Sequence, residues 1–198
     1  MILAFDTSGK WCVAALLSGT EIISQKTEEM AKGQAERLMP LLTEMLDAAG
    51  ITWRDLNAIG VGTGPGNFTG IRIAVSAARG LALGLNIPAI GVTACEARSL
   101  QAPTGACPAI AAPRDMVYLC QRKAPAATPE LMPLVQAQTI AAGYGLSLIA
   151  ENSPQGLAEA IARIAATRWQ VPQPAPAPLY ARAADAAPSR HTAPVMLD

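Results

Sequence analysis

The stretch Gly64-Pro65-Gly66-Asn67-Phe68-Thr69-Gly70-Ile71-Arg72 holds the residue types most ready to do chemistry. Read as a strand feeding a glycine-rich turn and then a helix, it is the general recipe for an anion site. Backbone N–H groups and the helix dipole both favour negative charge at such a place. Arg72 and Arg79, seven residues apart, can share a helical face and add positive charge. Two absences oppose this reading. A P-loop ends in Gly-Lys-Ser/Thr, and this turn has Gly70-Ile71-Arg72. A dinucleotide fold wants an acid about 20 positions on, and none lies between Asp55 and Glu96. The alternative is that the glycines let helix and strand approach closely while Phe68 fills the core. Both readings stand on the turn alone.

Other chemistries are poorly supplied. The one histidine, His191, lies near the C-terminus beside prolines, so a nucleophile–histidine pair would depend on a mobile base. Neither G-x-S-x-G nor H-E-x-x-H occurs. Cys12, Cys95, Cys107 and Cys120 are far apart, with no C-x-x-C pair. Spacing of that kind predicts no metal site and reads as free thiols of a cytoplasmic protein. The N-terminal apolar run has no basic leader and is cut short by Asp6, and no run reaches the roughly 18 apolar residues of a membrane span.

These residues must be positioned by a chain of 198, of which 51% are apolar and 15% charged. Fifteen acids balance fifteen bases, so no global field draws nucleic acid or an anionic membrane. So low a charge points to apolar surface that a partner covers. Residues 1–7, 11–17 and 21–27 read as hairpin-connected strands. Leu38, Leu41, Leu42, Met45, Leu46 and Ala49 mark one helical face, with Pro40 expected to bend or restart the helix. Residues 56–61, 71–85 and 87–92 then read as strand, helix and strand, a parallel crossover. The predicted helix is apolar nearly all round, which implies burial nearly all round. Its small outer residues would let another helix come close. Beyond residue 101 the texture shifts toward Ala and Pro. A hairpin over 109–112 and 116–121, a strand at 146–150 and a helix over 157–169 are expected there, with an extended segment at Pro172, Pro174, Pro176 and Pro178. The prediction is an α/β chain with a first lobe over residues 1–101 and a shorter second lobe over 102–198.

The opening Ile2-Leu3-Ala4-Phe5-Asp6-Thr7-Ser8, the glycine-rich turn, Gly80-Leu81-Ala82 and Pro88-Ala89-Ile90-Gly91-Val92 together resemble the TsaB family, also called YeaZ. Pro178-Leu179-Tyr180-Ala181-Arg182 is a later echo, and the likeness is strong only over the first hundred residues. The resemblance implies an actin-like ATPase fold of two ribonuclease-H-like lobes. It implies a non-catalytic paralogue of TsaD, working with TsaD and the ATPase TsaE to place N6-threonylcarbamoyladenosine in tRNA. It further implies a platform role, a homodimer when alone, only indirect contact with tRNA, no cofactor of its own, and ATP at the complex if anywhere. The first-lobe helices, residues 33–50 and 69–85, would form the interface. Leu38, Leu42, Met45, Ala74, Ala77, Gly80, Leu83 and Gly84 are the expected contacts, although residues spaced like Leu42, Met45 and Leu46 are more often core than interface. Asp6, Thr7, Gly64 and Gly66 are the phosphate-facing candidates, and Pro65, Phe68, Thr69, Gly70 and Arg72 complete the family motif. Asp6 equally suits a simple turn-bonding role with Ser8 and Gly9. This chain departs from the family pattern at Gln34, where relatives often carry His, and at Ala111, where an acid would face Asp6. Rival readings are a small ATP-dependent phosphotransferase of the same fold and a self-associating structural dimer.

Overall fold

Strands β1 (Ile2–Asp6) and β2 (Trp11–Ser18) are buried almost throughout, whereas β3 (Glu21–Glu29), mostly polar, is exposed or half-buried at the sheet edge. That difference follows from their place. The computed structural model describes residues 1–121 and 124–181. Its first sheet has the order β3-β2-β1-β4-β5, where β4 is Ala58–Gly62 and β5 is Ala89–Val92. The hairpin pairs are antiparallel, and β1, β4 and β5 run parallel. The expected mixed sheet is present.

Both faces of this sheet are covered. Leu3 and Phe5 of β1 pack under α1 (Gln34–Ala48) and α2 (Phe68–Leu85), with Leu38, Leu42, Met45, Ile71 and Val75 filling the space. Ile2 and Ala4, one register position away, point to the opposite face, where α5 (Leu157–Ala166) lies with Ile161 and Ala165. Thus α5 returns from the C-terminal half to close the first lobe's second core. Pro40 sits inside α1 without breaking it, so the expected restart near Glu36 is absent. The apolar seam of Leu38, Leu41, Leu42 and Met45 holds the helix to the sheet across the lost donor.

Helix α3 (Ala94–Gln101), unforeseen in the sequence, starts at a capping box of Thr93 and Glu96. The second sheet has the order β8-β7-β6-β9. Its strands are β6 (Ala106–Ala112), β7 (Met116–Leu119), β8 (Glu130–Pro133) and β9 (Ser147–Glu151), and α4 (Leu134–Gly143) packs on it. β6–β7–β8 are antiparallel and β6–β9 parallel, repeating the first sheet's plan without its last strand. The sulfurs of Cys95 in α3 and Cys120 after β7 form a disulfide, correcting the expectation of four thiols. Cys12 and Cys107 are buried. Residues 172–180 carry no regular structure, as the alternating prolines imply. His191 and Arg182 lie outside the described residues.

Helix α2 is 18 residues long with a mean hydropathy of 1.3, enough by length and composition to cross a membrane. Here it rests on the sheet through Ile71, Ala74, Val75 and Ala78. It is not buried all round. Arg72, Ser76, Arg79, Gly80, Leu83 and Gly84 are exposed, and Leu83 is 85% so.

Candidate functional site

The end of β1 and the start of α2 are locked together. Asn67 caps α2, its side-chain oxygen accepting from Gly70 N at 2.9 Å, which starts the helix at Phe68 rather than Ile71. Asn67 N donates to Ser8 O at 2.6 Å, and Thr7 Oγ1 donates to Gly70 O at 2.6 Å. The glycines make this approach possible. A Cβ on Gly66 would lie 2.6 Å from Ser8 O, and one on Gly70 would fall on the Thr7 carbonyl oxygen. Gly64, at φ +95°, accepts from Ala94 N and has no room for a side chain beside Ile71. Several of the polar groups that a phosphate-binding turn would offer are thus bonded to the chain's own backbone and side chains.

Asp6 is buried beneath this junction. Its Oδ1 accepts from Ser8 N, Ser8 Oγ and Trp11 Nε1, each at 2.8 Å. Its other oxygen faces Gly62, where a Cβ would collide with it. Burial raises the carboxyl above its usual range, partly offset by those hydrogen bonds. Of the two roles considered for Asp6, this geometry is the turn-bonding one, with Trp11 as a partner that sequence did not indicate. Gln34 has its own structural task here. Its Nε2 donates to Gly9 O and Met30 O, tying the start of α1 to the β1–β2 turn.

Between the lobes runs a cleft of about 900 Å³. Ser8, Gly66 and Thr69 line it from the first lobe, and Ala111, Pro113 and Tyr118 from the second. Lys10, Lys32 and Glu36 are its charged lining residues. Asp115 is exposed on the β6–β7 turn and does not line the cleft, so no acid of this turn faces Asp6. A magnesium-bound nucleotide needs oxygen ligands near its phosphates. With Asp6 turned inward, Glu36 is the one carboxylate among the residues that line the cleft.

The expected partner-contact residues separate into two sets. Leu38, Leu42, Met45 and Ala74 are 0–1% exposed core residues and cannot touch a partner, which corrects their assignment. Their helical spacing signals the sheet-facing side, as it does for most amphipathic helices. Ala77 is half-buried, while Gly80, Leu83 and Gly84 lie on the outer face, the two glycines with open space where a Cβ would go. Phe68 is also corrected. It is 45% exposed rather than in the core, and Arg72 Cζ lies 3.8 Å above its ring centroid. Arg72 Nε donates to Tyr180 Oη at 2.8 Å, and the Phe68 and Tyr180 rings are 5.1 Å apart. The C-terminal segment is anchored alongside, with Leu179 N donating to Thr63 O at 2.8 Å. The two sequence motifs, far apart in the chain, thus meet in space.

Two lobes with the same strand plan, facing each other across a cleft, define an actin-like ATPase fold. The model of the family described as "TsaD: tRNA N6-adenosine threonylcarbamoyltransferase" matches residues 19–130, just over half of the chain. The chain belongs to this family, on its TsaB (YeaZ) branch. The tRNA threonylcarbamoyladenosine biosynthesis protein TsaB of Escherichia coli is 40% identical over 93 residues, 46% of this chain and 39% of that protein. TsaB of Bacillus subtilis is 37% identical over 95 residues, 48% of this chain and 42% of that protein. The matched segment is about two fifths of the length of these relatives. Among solved structures, YeaZ from Pseudomonas aeruginosa superposes with a TM-score of 0.53 at 35% identity, covering 61% of each chain. An "uncharacterized protein with similarity to peptidase YEAZ from Pseudomonas aeruginosa" superposes with a TM-score of 0.68 at 26% identity, covering 91% of this chain and 99% of the other.

Proposed function

We propose that the chain is a non-catalytic subunit of the machinery that makes N6-threonylcarbamoyladenosine in tRNA, docking a TsaD-type transferase through the outer face of α2. The observation that carries this is the pairing of small and apolar residues on an exposed helix face. Gly80 and Gly84 leave open space and Leu83 is 85% exposed. Such a face lets a second helix approach closely, and it is costly to leave in water. The internal bonding of the glycine-rich turn supports a role without phosphate chemistry. TsaE as a further partner, and a cytoplasmic setting, follow from the family likeness. Contact with tRNA would come through the transferase, since the balanced charge offers no field for it. The test is to combine the purified chain with a TsaD-type transferase, its ATPase partner and threonylcarbamoyl-adenylate. Modified adenosine should form only when the chain is present, and the chain alone should not turn over ATP. Magnesium-dependent turnover by the chain alone would overturn the reading.

Lys10 and Lys32 in the cleft favour a second reading, in which an anionic nucleotide lodges there once the partner supplies the missing carboxylates.

A further inference from the structure

Phe68, Arg72 and Tyr180 form a preorganised cationic platform at the N-terminal end of the exposed α2 face. Two of the chain's eight aromatic residues are brought together there, 45% and 44% exposed. The guanidinium is stacked on Phe68 and its Nε is engaged by Tyr180. That holds the side chain in one orientation and leaves its two terminal nitrogens without an ion-pair partner among the described residues. Arg79 follows seven residues along, almost in line at helical periodicity, and is likewise exposed without an ion pair among the described residues. Ser76 and Leu83 continue the same stripe. No acid occurs anywhere from Leu56 to Cys95, so the chain supplies no counter-charge in that run.

We infer that Arg72 and Arg79 are the charged anchors of the α2 docking face and take two carboxylates of the protein partner. The inference rests on the docking reading above and adds the partner's chemistry: an acidic helix face with carboxylates about 10 Å apart, matching two turns of α2. Arg and exposed aromatics are the residue types enriched where interfaces concentrate their energy. A guanidinium already held by two rings loses little further freedom on pairing. Its planar fork suits a carboxylate better than an ammonium does. Protein rather than nucleic acid is the fitting partner, because Arg72 already covers a face of Phe68 that a base would need.

Titration calorimetry of the intact chain against a TsaD-type transferase, at low and high salt, tests this. Arg72→Gln should weaken binding about tenfold and flatten its salt dependence. Arg72→Lys, which keeps the charge, should recover only part of the loss, and Tyr180→Phe should give a smaller one. Leu83→Arg reports on the docking face itself. If Arg72→Gln binds like the native chain while Leu83→Arg abolishes binding, the docking reading stands and the carboxylate anchor falls. If neither variant changes binding, both fall. A native chain that ignores the transferase but forms a dimer broken by Arg72→Gln would make a second copy the occupant and overturn the inference.

Discussion

Asp6 occupies the strand end where a phosphate- or metal-facing carboxylate would sit in a catalytic member of this fold, but it is occupied inward. Three donors converge on Oδ1. Replacing Asp6 by Ala would leave those donors buried and unmet, and should cost about 2–3 kcal/mol in urea unfolding. The carboxyl's raised pKa fixes the sign of its pH dependence. A raised folded-state value means the native state holds the proton longer than the unfolded chain. Stability from this group is therefore full below the unfolded value and is lost as pH rises through the folded one. Asp6→Asn should remove that fall, so its stability relative to the native chain should rise from pH 4 to pH 7. A constant difference across this range would contradict the assignment. The Cys12 thiol is likewise withdrawn from chemistry, because burial pushes it up to about 11. Gly70 makes the sharpest steric demand. Gly70→Ala should destabilise by about 3 kcal/mol, since its methyl would meet backbone rather than a flexible side chain.

Helix α2 shows its two sides through its glycines. Gly70 is pressed against the β1 turn, whereas Gly80 and Gly84 face open space. Gly80→Ala and Gly84→Ala should each stabilise the isolated chain by up to about 1 kcal/mol, through helix propensity and a less flexible unfolded state. The same methyl groups should weaken association with a partner helix that depends on close approach, so thermal unfolding and binding should move in opposite directions. Most first-lobe elements were legible in the sequence, because apolar alternation and helical periodicity are strong there. The family likeness, not periodicity, placed Leu38, Leu42 and Met45 of α1 at an interface. The spacing of Leu38, Leu42 and Met45 identifies an apolar side, and in this lobe that side faces the sheet. The exposure of Phe68 was illegible for a different reason. Asn67 caps the helix three residues earlier than the apolar pattern indicated, which carries Phe68 onto the surface beside Arg72. Helix α4 contains no charged residue and has little difference between its faces, so no periodic signal announced it.

The whole molecule is a duplicated plan with a reduced second copy, cross-linked by Cys95–Cys120. No C-x-x-C signal marks that bond. It depends on α3 and the end of β7 meeting at the lobe junction, which only the tertiary structure reveals. Its 25-residue span corresponds to about 3.5 kcal/mol of stabilisation by chain entropy. Serine at both positions should therefore lower unfolding free energy by about that amount, and the native chain should show two thiols rather than four when unfolded without reductant. At this scale the cleft is framed by the fold with Glu36 as its one lining carboxylate, while the outer face of α2 sets small and apolar residues beside two exposed arginines. A scaffold accounts for both features. The most direct check is to measure complex formation between a TsaD-type transferase and either the native chain or its Gly84→Arg variant. The native chain should bind, and the variant should lose binding while unfolding at close to the native temperature. Native-strength binding by Gly84→Arg would contradict the assignment of α2 as the docking face.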